Sequence, residues 1–389
     1  MMKTRVTTLT LTIVAALVAS PALAGWEEGV AAFSKGDLNT AVNEFKSVVE
    51  TQPDWPGGHF MLGRTYLRAK KNQEAITHLR KAYDLDSKNA QYQLFLGDAY
   101  VKAGRHADGV AILSKLDANK LPAQARGHLA QLKTVAYQKS GQSGSALIEA
   151  RKAAEAAPNN AKLWHAYGSL AYNEGDTDAA IRALGKAAQL DPRDGAKHIA
   201  HAQALLRKAR TTRGSAKAGI YRQAASAAQK GVSSAETTDN LTLLGECHLG
   251  AKDYDGAIAA FERAATKSGA SWLQHYYIGQ AHTAKTQYKS AESALRTALD
   301  KTSAATDQAR VWKQLAFVYE KQKNYDGAID AYNRAGDSGG AARAAENKKT
   351  AQENLAIEAE NRRLEAMEAE KKRLEEELKN LPGGPPPRF

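Results

Sequence analysis

The sequence predicts an all-α chain, a solenoid of about nine helical hairpins followed by one long charged helix. Three observations carry this reading. A unit of 34 residues recurs: Ala41 and Ala75, Leu62-Gly63 and Leu96-Gly97, Tyr66 and Tyr100, Ala146 and Ala180, Pro158 and Pro192, Gly245 and Gly279, and Ala257 and Ala291 are all that far apart. Within a unit the apolar residues fall at helical spacing, as in Leu62, Tyr66, Ala75, Leu79 and Ala82, and a polar break at 70–72 separates two short runs. From residue 341 the composition turns to Ala, Glu, Lys, Arg and Leu with neither Gly nor Pro until Pro382.

The N-terminus follows a different logic. Lys3 and Arg5 precede an apolar stretch from Leu9 to Val18, then come Pro21, Ala22 and Ala24. This pattern reads as a cleavable secretory signal over 1–24, similar to bacterial ones, which puts the mature start at Gly25 and the protein outside the cytosol, in a periplasm or beyond it in association with an outer membrane. The stretch is short of the ~20 residues that span a bilayer, and no later segment reaches that length.

Nine units follow over 25–340, with boundaries near 22–55, 56–89, 90–126, 127–160, 161–194, 195–237, 238–271, 272–308 and 309–340. Gly63, Gly97, Gly168, Gly245 and Gly279 on first helices, and Ala41, Ala75, Ala146, Ala180, Ala257, Ala291 and Ala328 early in second ones, leave room for two helices to cross closely. Phe45, Phe261 and Tyr332 fill the space behind them, and Pro53, Pro158 and Pro192 end second helices. The segments KDYDGAI at 252–258 and KNYDGAI at 323–329 are near copies. The third and eighth units carry three extra residues. The sixth, 195–237, carries nine with few pattern residues, so a long second helix over 216–231 and a flexible point are expected there.

This pattern resembles the tetratricopeptide repeat. Trp164, Gly168, Gly175, Ala180, Ala187 and Pro192 match its signature in one unit; Trp312, Leu315, Tyr319, Ala328, Tyr332 and Ala335 match it in another. The resemblance covers nearly all of the chain after the signal, and implies a non-catalytic scaffold that binds proteins, similar to exported repeat proteins of bacterial envelopes.

Residues 341–381 predict one long helix. Glu368 with Lys372, and Glu375 with Lys379, are favourable pairs four apart. A heptad register puts Ile357, Leu364, Lys371 and Leu378 at one core position, and Glu353, Glu360, Met367, Leu374 and Leu381 at the other. Two outcomes stand open, a coiled coil that makes a homodimer and a solvated capping or projecting helix. Residues 382–389 carry Pro385, Pro386 and Pro387 and predict an extended, disordered tail.

Composition narrows the function classes. A chain of 389 residues with 43% hydrophobic content is neither disordered nor collagen-like. Its one cysteine, Cys247, closes no intramolecular disulfide and reads as a buried small residue, and ten His without a second Cys give no zinc-finger spacing. GxxxxGK[ST] and HExxH are both missing, so no enzyme and no cofactor is expected. His198 and His201, three apart on a helix, lack a further ligand at metal spacing and are expected to be solvent-exposed.

What remains is surface. The net charge is +12; the signal accounts for +2 and residues 341–389 for none, so +10 rests on the repeats. Such a field speeds encounter with acidic proteins or anionic polymers. Nucleic acid is disfavoured by the secretory signal and by the lack of a recognition motif. In tetratricopeptide domains the first helices line the concave side. That register puts Arg64, Arg68, Asp98, Lys102, Gln138, Lys139, Lys162, His165, Tyr172 and Asn173 along the inner wall of units two to five. The implied partners are proteins of a cell-envelope machine for secretion, polysaccharide export, pilus assembly or gliding motility, with an anionic polysaccharide as the alternative.

Overall fold

The computed structural model describes residues 25–380; the expected signal and the proline-rich tail lie outside the described residues. All regular structure among them is helical. The chain divides into two compact units, one through Leu190 and one from Asp191.

The first unit stacks five hairpins: α1 Trp26–Lys35 with α2 Leu38–Thr51, α3 Pro56–Arg68 with α4 Asn72–Leu85, α5 Ala90–Lys102 with α6 His106–Leu113, α7 Ala123–Lys139 with α8 Ser143–Ala156, and α9 Ala161–Asn173 with α10 Thr177–Leu190. The second stacks four: α11 Gly195–Thr211 with α12 Ala216–Ser234, α13 Thr238–Gly250 with α14 Tyr254–Ala265, α15 Trp272–Ala284 with α16 Tyr288–Asp300, and α17 Ala305–Lys321 with α18 Tyr325–Arg334. The helix α19, Ser338–Lys379, follows them.

One steric rule builds nearly every hairpin. A Cβ on Gly63 would lie 2.6 Å from Leu79, on Gly97 2.2 Å from Leu113, on Gly168 2.6 Å from Leu184, on Gly245 2.5 Å from Phe261 and on Gly279 2.6 Å from Leu295. In each pair the large residue stands sixteen places after the glycine, so the second helix drives one side chain into a notch of the first. Where unit four has Thr134 at the notch, the residue sixteen places on is Ala150, and both are buried. Volume is exchanged between the two helices.

The near-copied segments are caps. Asp253 accepts a hydrogen bond from the Gly256 amide at 3.1 Å, and Asn324 accepts one from Gly327 at 3.1 Å. The prolines matter beyond ending helices. The Pro53 carbonyl lies 2.9 Å from His59 Nε2, that of Pro158 accepts from Trp164 Nε1 at 2.9 Å, and that of Pro192 lies 3.1 Å from His198 Nε2. Each carbonyl freed at a helix end is met by a ring nitrogen six residues on.

That arrangement corrects the reading of His198, which is only 6% exposed rather than solvated. His201 is half-buried, and burial first, then His198 and Lys230, lowers its pKa. Cys247 is fully buried, and burial ahead of the Glu246 charge pushes its thiol up to about 12, so it is inert packing.

The sixth hairpin holds two long helices. Its close approach has moved to the ends: a Cβ on Gly231 would lie 2.4 Å from Ile199, and one on Gly195 2.4 Å from Ser234. Ala202, Leu205, Leu206, Ala224, Ala228 and Val232 are buried in this pair. The helix α19 begins at Ser338, ahead of the expected 341, because Asp337 caps it through the Gly340 amide at 2.8 Å and Tyr332 packs against Gly340.

Candidate functional site

Within the first unit the first helices lie side by side, and the residue after the notch glycine differs in burial from one to the next, half-buried on α3 and buried on α5. Arg64 holds that position on α3 and Asp98 on α5. Val135 holds it on α7 and is 40% exposed, a large apolar side chain left at the surface.

Arg64 is half-buried among aromatic rings. Its guanidinium carbon lies 5.3 Å from the Phe33 ring centroid of α1, 5.3 Å from that of Phe60 one turn back, and 4.9 Å from that of Phe95 on α5. The rings also hold one another, with Phe60 and Phe95 centroids 5.3 Å apart and Phe60 and Tyr92 4.8 Å apart. Its one hydrogen-bond contact is weak, Nη1 to the Met61 sulfur at 3.7 Å. Arg68, a turn later, donates to the Phe33 carbonyl at 2.6 Å and lies 4.6 Å from the Phe33 ring centroid. Among the described residues neither arginine has a carboxylate partner. Burial, and after it the charge on Arg68, pulls the Arg64 guanidinium below its ordinary value.

The other cations read from the sequence fare differently. Lys102 is engaged: its Nζ binds Asp98 Oδ2 at 2.9 Å, and His128 Nε2 of α7 lies 3.9 Å from the same oxygen. Burial works to raise the Asp98 pKa, but His128 and Lys102 outweigh it and hold the carboxyl below the usual range. Lys102 is thus paired within α5, and His128 reaches across from α7 to the same carboxylate. Gln138 and Lys139 are exposed at the end of α7; Lys162 is exposed and His165 half-buried in the first turns of α9; Tyr172 and Asn173, half-buried and exposed, end that helix. Arg64 and Arg68 are the members brought together with aromatic surface.

Sequence reasoning missed Phe33, Phe60 and Phe95. The signal was partial: Phe60 stands four residues before Arg64, on the same helix face. Phe33 and Phe95 stand 31 residues either side of Arg64, short of the 34-residue period, and only the stacking of α1, α3 and α5 shows that they converge.

Models of the tetratricopeptide repeat match residues 26–90, 60–123, 161–194, 199–271 and 276–342, well over half of the chain. The chain belongs to the tetratricopeptide-repeat family. Solved structures show similarity at low identity. The C-terminal part of a tetratricopeptide-repeat protein from Cytophaga hutchinsonii is 14% identical, with a TM-score of 0.47, covering 62% of this chain and 93% of that one. MamA residues 41 to the end, from Desulfovibrio magneticus, are 18% identical, with a TM-score of 0.39, covering 45% and 93%. YrrB, described as a tetratricopeptide-repeat protein with an unusual peptide-binding site, is 17% identical, with a TM-score of 0.42, covering 49% and 92%. No curated protein sequence matches the chain.

Tetratricopeptide-repeat chains are protein-interaction scaffolds, and the fold is typically non-catalytic. In this one no three His, Cys, Asp or Glu side chains converge on a metal position among the described residues, and no described helix is long and apolar enough to cross a membrane.

Proposed function

We propose that the chain is an exported, non-catalytic scaffold that holds protein partners during assembly of a cell-envelope machine, of the secretion, polysaccharide-export, pilus or gliding-motility kind. The face formed by α1, α3 and α5 is where a partner's acidic segment docks. One observation carries this reading: the half-buried Arg64 guanidinium lies over three phenylalanine rings and beside Arg68 with no carboxylate of its own. Water around it is already partly displaced, so an incoming carboxylate meets a cation of low solvation and its neighbouring apolar side chains meet the half-buried Phe33 and Phe95 rings. The secretory pattern of residues 1–24 supports the location, and the +10 on the repeats supports an acidic partner.

Capture from the envelope fraction of the native host, with wild type and with Arg64→Gln, tests the reading. The expected result is an envelope protein retained by the wild type and lost with Arg64→Gln, together with a mature N-terminus at Gly25. Recovery of the uncut chain in the cytosol overturns the location; equal capture by both proteins overturns the site. The second reading, an anionic polysaccharide held by the same cations, rests on that positive charge. It predicts salt-sensitive binding to a purified acidic polysaccharide and no retained protein.

A further inference from the structure

The most conspicuous uncovered surface lies on α19, far from the Arg64 face in sequence. The helix docks only through its first turns: Gly340, Ala341 and Ala344 are buried, Arg343 donates to the Tyr332 hydroxyl at 2.9 Å, and Lys348 pairs with Asp326 at 2.6 Å. From Gln352 to Asn380 every residue is exposed, a helix of about 40 Å at 1.5 Å per residue. Six of the nine exposed large apolar side chains among the described residues stand there: Leu355, Ile357, Leu364, Met367, Leu374 and Leu378.

All but Leu355 fall on a seam with steps of seven, three, seven and four. So narrow a stripe is a coiled-coil edge, not the broad apolar face that lies on a membrane. Residues 353–377 carry nine Glu against five Lys and Arg, which also opposes an anionic bilayer. The charges within and beside the seam then select the partner. In a parallel pair of these helices Glu360 would face Glu360 and Lys371 would face Lys371 in the core, while Glu370 would flank Glu375. Run antiparallel, one register places Ile357 against Leu374, Leu364 against Met367 and Glu360 against Lys371 of the other copy, with Arg363 flanking Glu370. No like charges meet in it. A shift of one heptad either way sets Glu370 against Glu370 or Arg363 against Arg363.

We propose that the chain self-associates through α19 as an antiparallel two-stranded coiled coil over residues 357–374, with Glu360 and Lys371 fixing orientation and register. Opposed polar groups inside such a seam specify one pairing at some cost in stability. Two copies joined in this way carry their repeat arrays away from opposite ends of one short rod.

Light scattering on the full chain at tens of micromolar is the first measurement, and the expected mass is twice that of the 41.9 kDa chain. Glu360→Lys or Lys371→Glu alone weakens association by about tenfold or more, and the two together restore it. A parallel dimer would not be rescued by the double exchange, since like charges would still meet. Orientation is read by cysteine crosslinking: Ile357→Cys mixed with Leu374→Cys gives a disulfide-linked dimer, whereas either protein alone does not. A monomer at that concentration, a crosslink of Ile357→Cys to itself, or failure of the double exchange to restore dimers overturns the proposal. Circular dichroism of each variant confirms that the repeats, in which α19 beyond Gln352 takes no part, are still folded.

Discussion

The same repeat position carries Arg64 in the first unit and Glu246 in the second, each directly after the notch glycine of its first helix, yet the two have opposite surroundings. Glu246 is closed off: it pairs with Arg210 of α11 and accepts from the Tyr277 hydroxyl of α15 at 3.2 Å. The neighbouring cation, Arg310, lies 4.5 Å from the Tyr276 ring centroid. Arg64 has rings around it and no acid. One backbone plan thus yields two kinds of wall. In the second unit, charge at this position stitches neighbouring first helices together; at Arg64 of the first, no carboxylate among the described residues closes the cation. A cation held by quadrupoles keeps most of its capacity for an anion, whereas one already in an ion pair does not.

Charge reversal at Arg64 breaks the comparison most severely. Arg64→Glu is expected to weaken partner binding by about a hundredfold or more, the effect of removing a central anchor. Its thermal unfolding should stay close to wild type, because no carboxylate loses its partner. A large loss of stability with binding intact would show that Arg64 is structural glue. In the second unit the outcome should invert. Glu246→Gln leaves the half-exposed Arg210 without its partner and weakens the Tyr277 contact, for a loss of about 1 kcal/mol in urea unfolding with partner binding unchanged.

The fold was legible where it depends on period. Gly63, Gly97, Gly168, Gly245 and Gly279 announce the close crossings, and the large residue that fills each notch is found by counting sixteen on. The wall was legible as a position but not as chemistry. Register names Arg64 and Lys102 alike; a spacing of four on one helix already offers Asp98 to Lys102, and only the packed helices reveal that Arg64 lies on rings drawn from α1 and α5. His198 was misplaced for a related reason: the need of the Pro192 carbonyl for a partner is created by the end of a helix and is invisible to hydrophobic spacing.

A smaller effect is acid sensitivity, to which His201 of the second unit contributes in the same direction. In the first unit the Nδ1 atoms of His59 and His78 lie 3.2 Å apart, and His78 is lowered to about 4, by burial first and then by the charges of His59 and Lys46. A histidine whose folded pKa lies below its unfolded value binds its proton more tightly when unfolded. Its contribution is therefore complete above about pH 6.5 and is lost as the pH falls from there to about 4. The melting temperature should fall by a few degrees over that window, and His78→Asn should flatten the profile. An unchanged profile would mean that other groups carry the acid sensitivity.

The finest contrast lies in the turns inside the hairpins. In the first unit Gly36, Gly104, Gly141 and Gly175 take the left-handed conformation there, with φ between 74° and 86°, and Lys70 is the exception. In the second unit Lys252, Thr286 and Lys323 occupy the equivalent turns at φ 63°, 60° and 61°, and Gly214, at φ 78°, is the exception. A residue with a Cβ pays roughly 1–2 kcal/mol for that conformation, while glycine loses about 0.5–1 kcal/mol more chain entropy on folding. The difference favours glycine slightly. Lys252→Gly should therefore stabilise the chain by about 0.5 kcal/mol, and adding Thr286→Gly and Lys323→Gly should increase the gain. Gly104→Ala is the reverse test: no atom lies within 4 Å of the added Cβ, so any loss comes from the backbone conformation alone. If Gly104→Ala is neutral, the left-handed turns cost nothing measurable in this repeat, and the glycines of the first unit have another cause.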